Sequence, residues 1–84
     1  MTESEIKETV CKVLRKIAPE ADLANLSPHE NVREALDIDS FDFLQLMIGL
    51  HESLAVEIPE SDYPQLTTFA GILRYLTVKR PLKN

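Results

Sequence analysis

Much of this chain's organisation follows from the stretch Leu36-Asp37-Ile38-Asp39-Ser40-Phe41-Asp42-Phe43-Leu44, where a serine between acids opens a long apolar helix. Asp39 is a favourable N-cap, and Asp42 follows three residues later, where a capping-box partner belongs. With Asp39 as the cap, Ser40 takes the first helical position and its hydroxyl stays free. A phosphate on that hydroxyl would lie at the positive end of the helix dipole. The alternative is that Ser40 is itself an ordinary N-cap.

Helical periodicity extends on both sides of this stretch. The second helix is predicted over residues 40–54, with a core stripe at helical spacing: Phe43, Leu46, Met47, Leu50 and Leu54. The first helix is predicted over residues 3–18, because a Thr2–Glu5 capping box precedes a regular apolar face and Pro19 disfavours helix before it. That face consists of Ile6, Val10, Val13, Leu14 and Ile17.

Two further helices are predicted after the second one. Pro59 suits a first helical position, so we expect a short third helix over residues 60–63, stopped before Pro64. The last helix is predicted over residues 68–78, capped by Thr67 or Thr68 and ended before Pro81. Its apolar face consists of Phe69, Ile72, Leu73 and Leu76.

The long connection over residues 19–39 lacks helical periodicity. A short turn capped by Asn31 is expected within it, and spaced apolar residues can pin the loop across a bundle: Leu23, Leu26, Val32, Leu36 and Ile38. The predicted fold is therefore all-α, a small four-helix bundle of three main helices and a short third one, with a long first loop. Residues 1–84 are expected to form a single domain.

Composition limits the class of protein. A hydrophobic fraction of 44% can supply a core, so a disordered chain is not expected. The 27% of charged residues are enough to keep the folded protein soluble. No apolar run approaches the roughly 20 residues needed to span a bilayer. The N-terminus is acidic and polar, unlike a secretory signal, and the lone Cys11 cannot form an internal disulfide. These features predict a cytoplasmic protein without a membrane segment.

Charge is strongly segregated along the chain, whose net charge is −5. Between Glu34 and Leu73 there are eight acidic residues and no Lys or Arg, whereas basic residues cluster towards the two ends. The acidic residues are Glu34, Asp37, Asp39, Asp42, Glu52, Glu57, Glu60 and Asp62; the basic clusters are Lys7, Lys12, Arg15 and Lys16, then Arg74, Lys79, Arg80 and Lys83. Such a field disfavours nucleic acid and anionic membrane as partners and favours basic surfaces on other proteins.

Other site chemistries fail on spacing. Phe41 and Asp42 occupy the third ligand position and the required glycine position of a calcium loop, and neither His29 nor His51 has a partner at zinc-ligand spacing. Ser40 has no glycine-elbow context for a hydrolase nucleophile. We therefore expect neither a metal site nor a hydrolase nucleophile in this chain.

The motif Asp39-Ser40-Phe41, preceded by Leu36-Asp37-Ile38, resembles the acyl carrier protein family, whose modified serine lies in an Asp-Ser-Leu pattern. The order of helices and the segment Val56-Glu57-Ile58-Pro59-Glu60 extend that resemblance over nearly the whole chain. It implies a monomeric carrier in which Ser40 bears 4′-phosphopantetheine, added by a phosphopantetheinyl transferase that recognises Asp39. The arm's thiol would hold an acyl or aminoacyl thioester, loaded by a ligase and used by downstream synthases or transferases.

The same resemblance raises the question of pathway and partner. Fatty-acid carriers are often rich in glutamate on the second helix, where this chain has only Asp42 and Glu52 as acids, and Phe41 replaces the usual leucine; this favours a specialised carrier. Phe41, Leu44 and Ile48 form a second apolar row, open to burial or to partner contact, so the expected partner-binding residues are Phe41, Asp42, Leu44, Ile48 and Glu52. The alternative is an unmodified helical interaction module, with Ser40 as a cap or a phosphorylation switch.

Overall fold

The helices form a small all-α bundle in the computed structural model, which describes residues 2–79, and the predicted fold class is confirmed. The four α-helices are α1 Glu3–Ile17, α2 Val32–Ala35, α3 Ser40–Leu54 and α4 Phe69–Lys79, with 3-10 helices at Leu23–Asn25 and Glu60–Leu66. Pro81, the expected stop of the last helix, and the basic residues Arg80 and Lys83 lie outside the described residues. None of the helices in residues 2–79 has the length and apolar character required to cross a bilayer.

Helix α1 begins at the predicted capping box. The Thr2 hydroxyl accepts from the Glu5 N–H at 3.2 Å, and the Thr2 N–H donates to Glu5 Oε1 at 2.8 Å. Hydrogen bonding of the Glu5 carboxyl by the Thr2 N–H, and secondly by the Thr2 side chain, lowers the pKa of that carboxyl because it favours the charged form. The helix ends at Ile17, one residue earlier than predicted, since Ala18 has left helical geometry as the C-cap before Pro19.

The core is built from the inner faces of α1, α3 and α4. All five residues of the predicted α3 stripe are buried, and Val32 and Ile38 of the long connection are buried too. Leu23, Leu26 and Leu36 pack against this core from the same connection. The apolar residues of the loop therefore pin it across the bundle, as expected.

Two members of the predicted helix faces, Ile17 and Leu73, are only half-buried. Tyr75 is buried in α4, where the predicted face did not include it. The Tyr75 hydroxyl donates to Asp62 Oδ2 at 2.5 Å, which gives the buried phenol a partner on the neighbouring 3-10 helix. Burial and this hydrogen bond raise the pKa of Tyr75 to about 12, so the hydroxyl remains a donor at physiological pH.

The predicted third helix is present, but its predicted end before Pro64 is wrong. The segment is a 3-10 helix over Glu60–Leu66 that contains Pro64, and Pro59 precedes it with extended backbone. Proline breaks an α-helix by removing a hydrogen bond and by clashing with the carbonyl four residues earlier. The tighter i to i+3 pattern does not use that carbonyl as an acceptor, so the segment continues through Pro64.

Close packing against α4 depends on Gly71. A Cβ at this position would lie 2.6 Å from the Gln65 carbonyl oxygen and 3.0 Å from Thr68 Oγ1. The Gly71 N–H also donates to Thr68 Oγ1 at 3.0 Å, which identifies Thr68 as the cap of α4. The glycine therefore lets the first turn of α4 lie directly against the end of the 3-10 helix.

The long connection is tied to the start of α4 by main-chain hydrogen bonds. The Val32 N–H donates to the Thr67 carbonyl and the Ala70 N–H donates to the Pro28 carbonyl, each at 2.8 Å. Asn31 caps the short helix α2 by accepting from two backbone N–H groups, which confirms the turn expected there. These bonds set the position from which the chain enters α3.

Candidate functional site

Ser40 occupies the first position of α3, with Asp39 as the N-cap. Asp39 Oδ1 accepts from the Asp42 N–H at 2.9 Å, and the Phe43 N–H donates to the Asp39 carbonyl at 3.0 Å. The alternative in which Ser40 caps the helix is therefore wrong. The capping box at α3 is incomplete: among the described residues, the Asp42 carboxylate does not accept from the Asp39 N–H. The aspartate side chain is one methylene shorter than the glutamate that this motif uses.

The Ser40 side chain is exposed and forms no hydrogen bond with the described residues. The N–H groups at the first positions of an α-helix have no partner within the helix, and the helix dipole is positive at this end. A phosphoester on the Ser40 oxygen would lie at this positive end of α3, and Ser40 would give up no side-chain hydrogen bond to accept it. The donor set at the start of α3 therefore fits a phosphate-linked group.

A Schellman turn ends α2 just before this site. The Ile38 N–H donates to the Arg33 carbonyl at 3.0 Å and the Asp37 N–H donates to the Glu34 carbonyl at 3.4 Å, while Asp37 has a φ of 53°. Glycine is the usual residue at this left-handed position, although aspartate tolerates it better than most residues. The turn delivers Asp39 to its capping position with the exposed Asp37 carboxylate nearby.

The second apolar row of α3 is on the surface. The exposed fraction is 65% for Phe41, 41% for Leu44 and 42% for Ile48. Of the two possibilities left by the periodicity, burial is thus excluded for these three residues. Asp42 is half-buried and Glu52 exposed, so every predicted partner-binding residue has at least part of its side chain accessible.

A surface groove of about 390 Å³ lies between α3 and the segment that follows it. It is lined by Met47, Ile48, His51, Glu57, Ile58, Pro59, Tyr63 and Lys79. His51 Nδ1 lies 2.7 Å from the Val56 carbonyl oxygen, which can only accept, so Nδ1 carries the proton and donates. This bond links α3 to the strand-like segment that forms the far side of the groove.

The groove is the part of the site that sequence reasoning missed. The helical spacing correctly predicts Met47 as a core residue, and His51 is interpreted as an exposed or half-buried helix residue and not a metal ligand; neither prediction places the two beside a groove. Their spacing from Ser40, at i+7 and i+11, places both on the serine's side of α3, and this signal was available in the sequence. Within residues 2–79, no cluster of three or more His, Cys, Asp or Glu side chains could hold a metal ion.

Comparisons with known proteins agree with this geometry. A family model described as "Phosphopantetheine attachment site" matches residues 4–76. The chain is 31% identical to an acyl carrier protein of Campylobacter fetus subsp. fetus over 86% of this chain and 87% of that protein. It is 32% identical to an acyl carrier protein of Thermosynechococcus vestitus over 94% of this chain and 96% of that protein. A third acyl carrier protein, from Lactobacillus johnsonii, is 29% identical over 90% and 94% of the two chains.

Proposed function

Because the chain belongs to the acyl carrier protein family, we propose that Ser40 is the serine that bears its 4′-phosphopantetheine group. As a member of this family it is a carrier and not an enzyme, and it works with a phosphopantetheinyl transferase and with biosynthetic enzymes. The observation that carries the assignment to Ser40 is its exposed hydroxyl at the first position of α3, left free because Asp39 caps the helix.

The modification would be a phosphoryl transfer from coenzyme A. The Ser40 oxygen would form a bond to the phosphorus that bears pantetheine, and the pyrophosphate bond of coenzyme A would break. The nucleotide would leave with the electron pair of that bond, and the hydroxyl proton would pass to a base on the transferase. The bound group supplies a thiol that holds the cargo as a thioester, while this chain positions the arm through α3.

Intact-mass spectrometry tests the proposal directly. Incubation of the apo protein with coenzyme A and a broad-specificity phosphopantetheinyl transferase should add the mass of one 4′-phosphopantetheine, and peptide fragmentation should locate it on Ser40. The chain contains four other serines that serve as internal controls: Ser4, Ser27, Ser53 and Ser61. Addition at one of these, or no addition, would contradict the proposal.

Asp39 is proposed to act both as the helix cap and as a charge that the transferase recognises. Asn caps helices about as well as Asp, so Asp39→Asn should change the free energy of unfolding by less than about 0.5 kcal/mol. It removes the negative charge, so phosphopantetheine transfer should become roughly tenfold slower, as expected for the loss of a close interfacial charge. The rate is measured by mass spectrometry at several transferase concentrations.

Asp37→Asn is the matched control for this experiment. It removes one carboxylate from an exposed neighbour, and Asn tolerates the left-handed backbone at this position. We expect this variant to be modified at close to the wild-type rate. Equal rates for Asp39→Asn and the wild type would show that the charge of Asp39 takes no part in recognition.

The partner is proposed to be a dedicated loading ligase or synthase of a specialised pathway. The exposed row Phe41, Leu44 and Ile48 supplies apolar contact area, and exposed aromatic residues are frequent anchors in such interfaces. Acids on the same helix are limited to Asp42 and Glu52, so docking should be only moderately sensitive to salt. We also propose that the carrier is a cytoplasmic monomer, in keeping with its single cysteine.

Phe41→Ala should reduce the rate of loading by this partner roughly tenfold, the size expected when an aromatic anchor is removed. The ring is 65% exposed, so the stability of the domain should stay within about 0.5 kcal/mol of the wild type. Gln45→Ala, at another exposed position of α3, should have little effect on loading. Loading is measured by mass spectrometry and stability by urea titration. Support of general fatty acid elongation by the holo protein at a standard carrier's rate would contradict a specialised pathway.

A further inference from the structure

The proposed carrier function leaves one surface of the bundle unused, the groove between α1 and α4. We propose that this α1–α4 groove is a docking site for an acidic amphipathic helix of a partner protein. A partner bound there would raise the local concentration of the carrier at its enzymes while Ser40 stays free. The inference goes beyond the carrier function, and it does not depend on which serine bears the arm.

The α1–α4 groove lies on different helices from the candidate attachment site. Its volume is about 480 Å³, and its described lining residues come from α1, α4 and Pro28, with none from α3. The Ala70 N–H donates to the Pro28 carbonyl at 2.8 Å, so the proline borders the groove where α4 begins. A partner in this groove therefore contacts different elements from a partner that docks beside Ser40.

The floor of the groove is apolar and only partly covered. Ala70 and Leu73 are half-buried and Pro28 is exposed, whereas Val78 is 72% exposed, more than any residue of the apolar row on α3. Ala70, Leu73 and Val78 recur at offsets 0, 3 and 8, so they form one continuous face of α4. Single apolar residues on a surface are ordinary, but a contiguous apolar face beside a groove is typical of an interaction site.

The charges beside this floor are positive on both walls. Lys7 of α1 and Arg74 of α4 line the groove, are exposed, and form no ion pair with a described residue. Their sign contrasts with the net charge of −5 of the chain. Glu3 is the one acid among the described lining residues, and it lies in the first turn of α1, where the helix dipole stabilises it. An occupant therefore gains most from carboxylates on both of its flanks.

The shape of the groove favours a helix over a small molecule. Helix α4 has 11 residues and so spans about 16 Å, the length of roughly three turns of a partner helix. Amphipathic helices bind such grooves through apolar residues at positions i, i+4 and i+7. A small ligand would keep much of its surface in water, because Val78 and Pro28 leave the groove open to solvent. Small-molecule sites usually bury most of the surface of their ligand.

The test compares two helix-stapled peptides of about 14 residues, which form about 21 Å of helix. Both carry the same stripe of leucines; one has glutamate on its flanks and the other has lysine. Amide chemical shifts of Leu73 and Val78 report on the groove, and those of Phe41 and Leu44 report on the apolar row of α3. We expect the glutamate peptide to shift the groove amides and the lysine peptide to favour the row, whose charged neighbours on α3 are acidic.

Three variants test the residues of the groove. Arg74→Gln and Lys7→Gln should each weaken binding of the glutamate peptide roughly threefold, the effect of one exposed ion pair. Val78→Thr, which replaces one exposed methyl by a hydroxyl, should weaken it by a similar factor. Lys12→Gln is the matched control, because Lys12 is an exposed lysine of α1 that does not line the groove, and it should bind like the wild type. Circular dichroism should show unchanged helical content in all four variants.

Several results would overturn the inference. These are equal affinity of the groove for the two peptides, binding of the glutamate peptide to the α3 row, or no groove shifts at about millimolar peptide. Unchanged affinity in both Arg74→Gln and Lys7→Gln would overturn it too. Concentration-dependent shifts of the groove amides in the free protein would assign this face to a second copy, and contacts from residues 80–84 would assign it to the chain's own end; either result refutes a partner helix.

Phosphopantetheine transfer separates this inference from the proposed function. With the glutamate peptide bound, transfer should proceed at the rate of the free protein, since the two surfaces lie on different helices. Inhibition by the bound peptide would refute a docking site that leaves Ser40 free. Failure of transfer both with and without the peptide would refute attachment at Ser40 and leave the docking site standing.

Discussion

Ser40→Ala is expected to abolish phosphopantetheine addition completely, because no other serine lies at the start of α3. The same substitution should leave the helical content and the stability almost unchanged. Asp39, and not Ser40, accepts the hydrogen bond that caps the helix, and the Ser40 side chain is exposed. An exposed substitution of this kind changes the free energy of unfolding by about 0.5 kcal/mol or less. Intact mass and a urea titration monitored by circular dichroism measure the two effects.

Ser53→Ala provides the matched control at the other end of the same helix. Ser53 is also exposed, so this variant should be modified like the wild type. Retained modification in Ser40→Ala would refute the proposed site outright. Loss of modification together with loss of helical signal would instead assign Ser40 a structural role, which contradicts a cap provided by Asp39.

Gly71→Ala is expected to destabilise the fold by about 1–2 kcal/mol, as overpacking typically does. Helix propensity alone predicts the opposite sign, since Ala is about 1 kcal/mol more favourable than Gly inside a helix. The added methyl would lie 2.6 Å from the Gln65 carbonyl oxygen, which belongs to the backbone and cannot rotate away. The start of α4 would have to move away from the 3-10 helix. The measurement is the urea midpoint at constant m-value.

Gly49→Ala is the appropriate comparison. Its methyl would come within 2.7 Å of a single Val13 methyl group on α1, where the obstacle is a side chain and the other atoms of Val13 are at 3.7 Å or more. We expect a smaller loss of stability than for Gly71→Ala. Stabilisation by Gly71→Ala would show that the backbone contact is easily relaxed and that the close approach of α4 is not required.

The main helices could be predicted from the sequence because each has both a local start signal and a periodic apolar face. Asp39 and the stripe on α3 are an example: the cap depends on residues three apart, and the stripe depends on the helical repeat alone. The 3-10 helix was predicted less well. Pro64 excludes a continuous α-helix through this segment. A 3-10 helix accommodates the proline, but local propensity does not specify that the segment takes this form.

The candidate site was predictable at its serine and not in its surroundings. Phe41, Leu44 and Ile48 recur at helical spacing, and only the arrangement of neighbouring elements determines that they stay partly exposed. The burial of Tyr75 requires a partner for its hydroxyl, and that partner is Asp62, thirteen residues earlier in the chain. To predict the groove, one must know how residues 55–63 run relative to α3. That path depends on long-range packing and not on the local sequence pattern.

The two main-chain hydrogen bonds between the long connection and the start of α4 have a consequence for recombination between carriers. Residues 28–32 and 67–70 form one clasp, through the pairs Val32–Thr67 and Ala70–Pro28, although they are far apart in sequence. A chimera that exchanges only one of these segments keeps both bonds only if the new segment follows the same backbone path and has no proline at the two donor positions. Exchange of α3 alone leaves the clasp intact and transfers the serine, the exposed row and one wall of the groove as a unit. If the proposed partner-binding row is correct, an exchange of α3 alone should transfer partner choice without disturbing these two bonds.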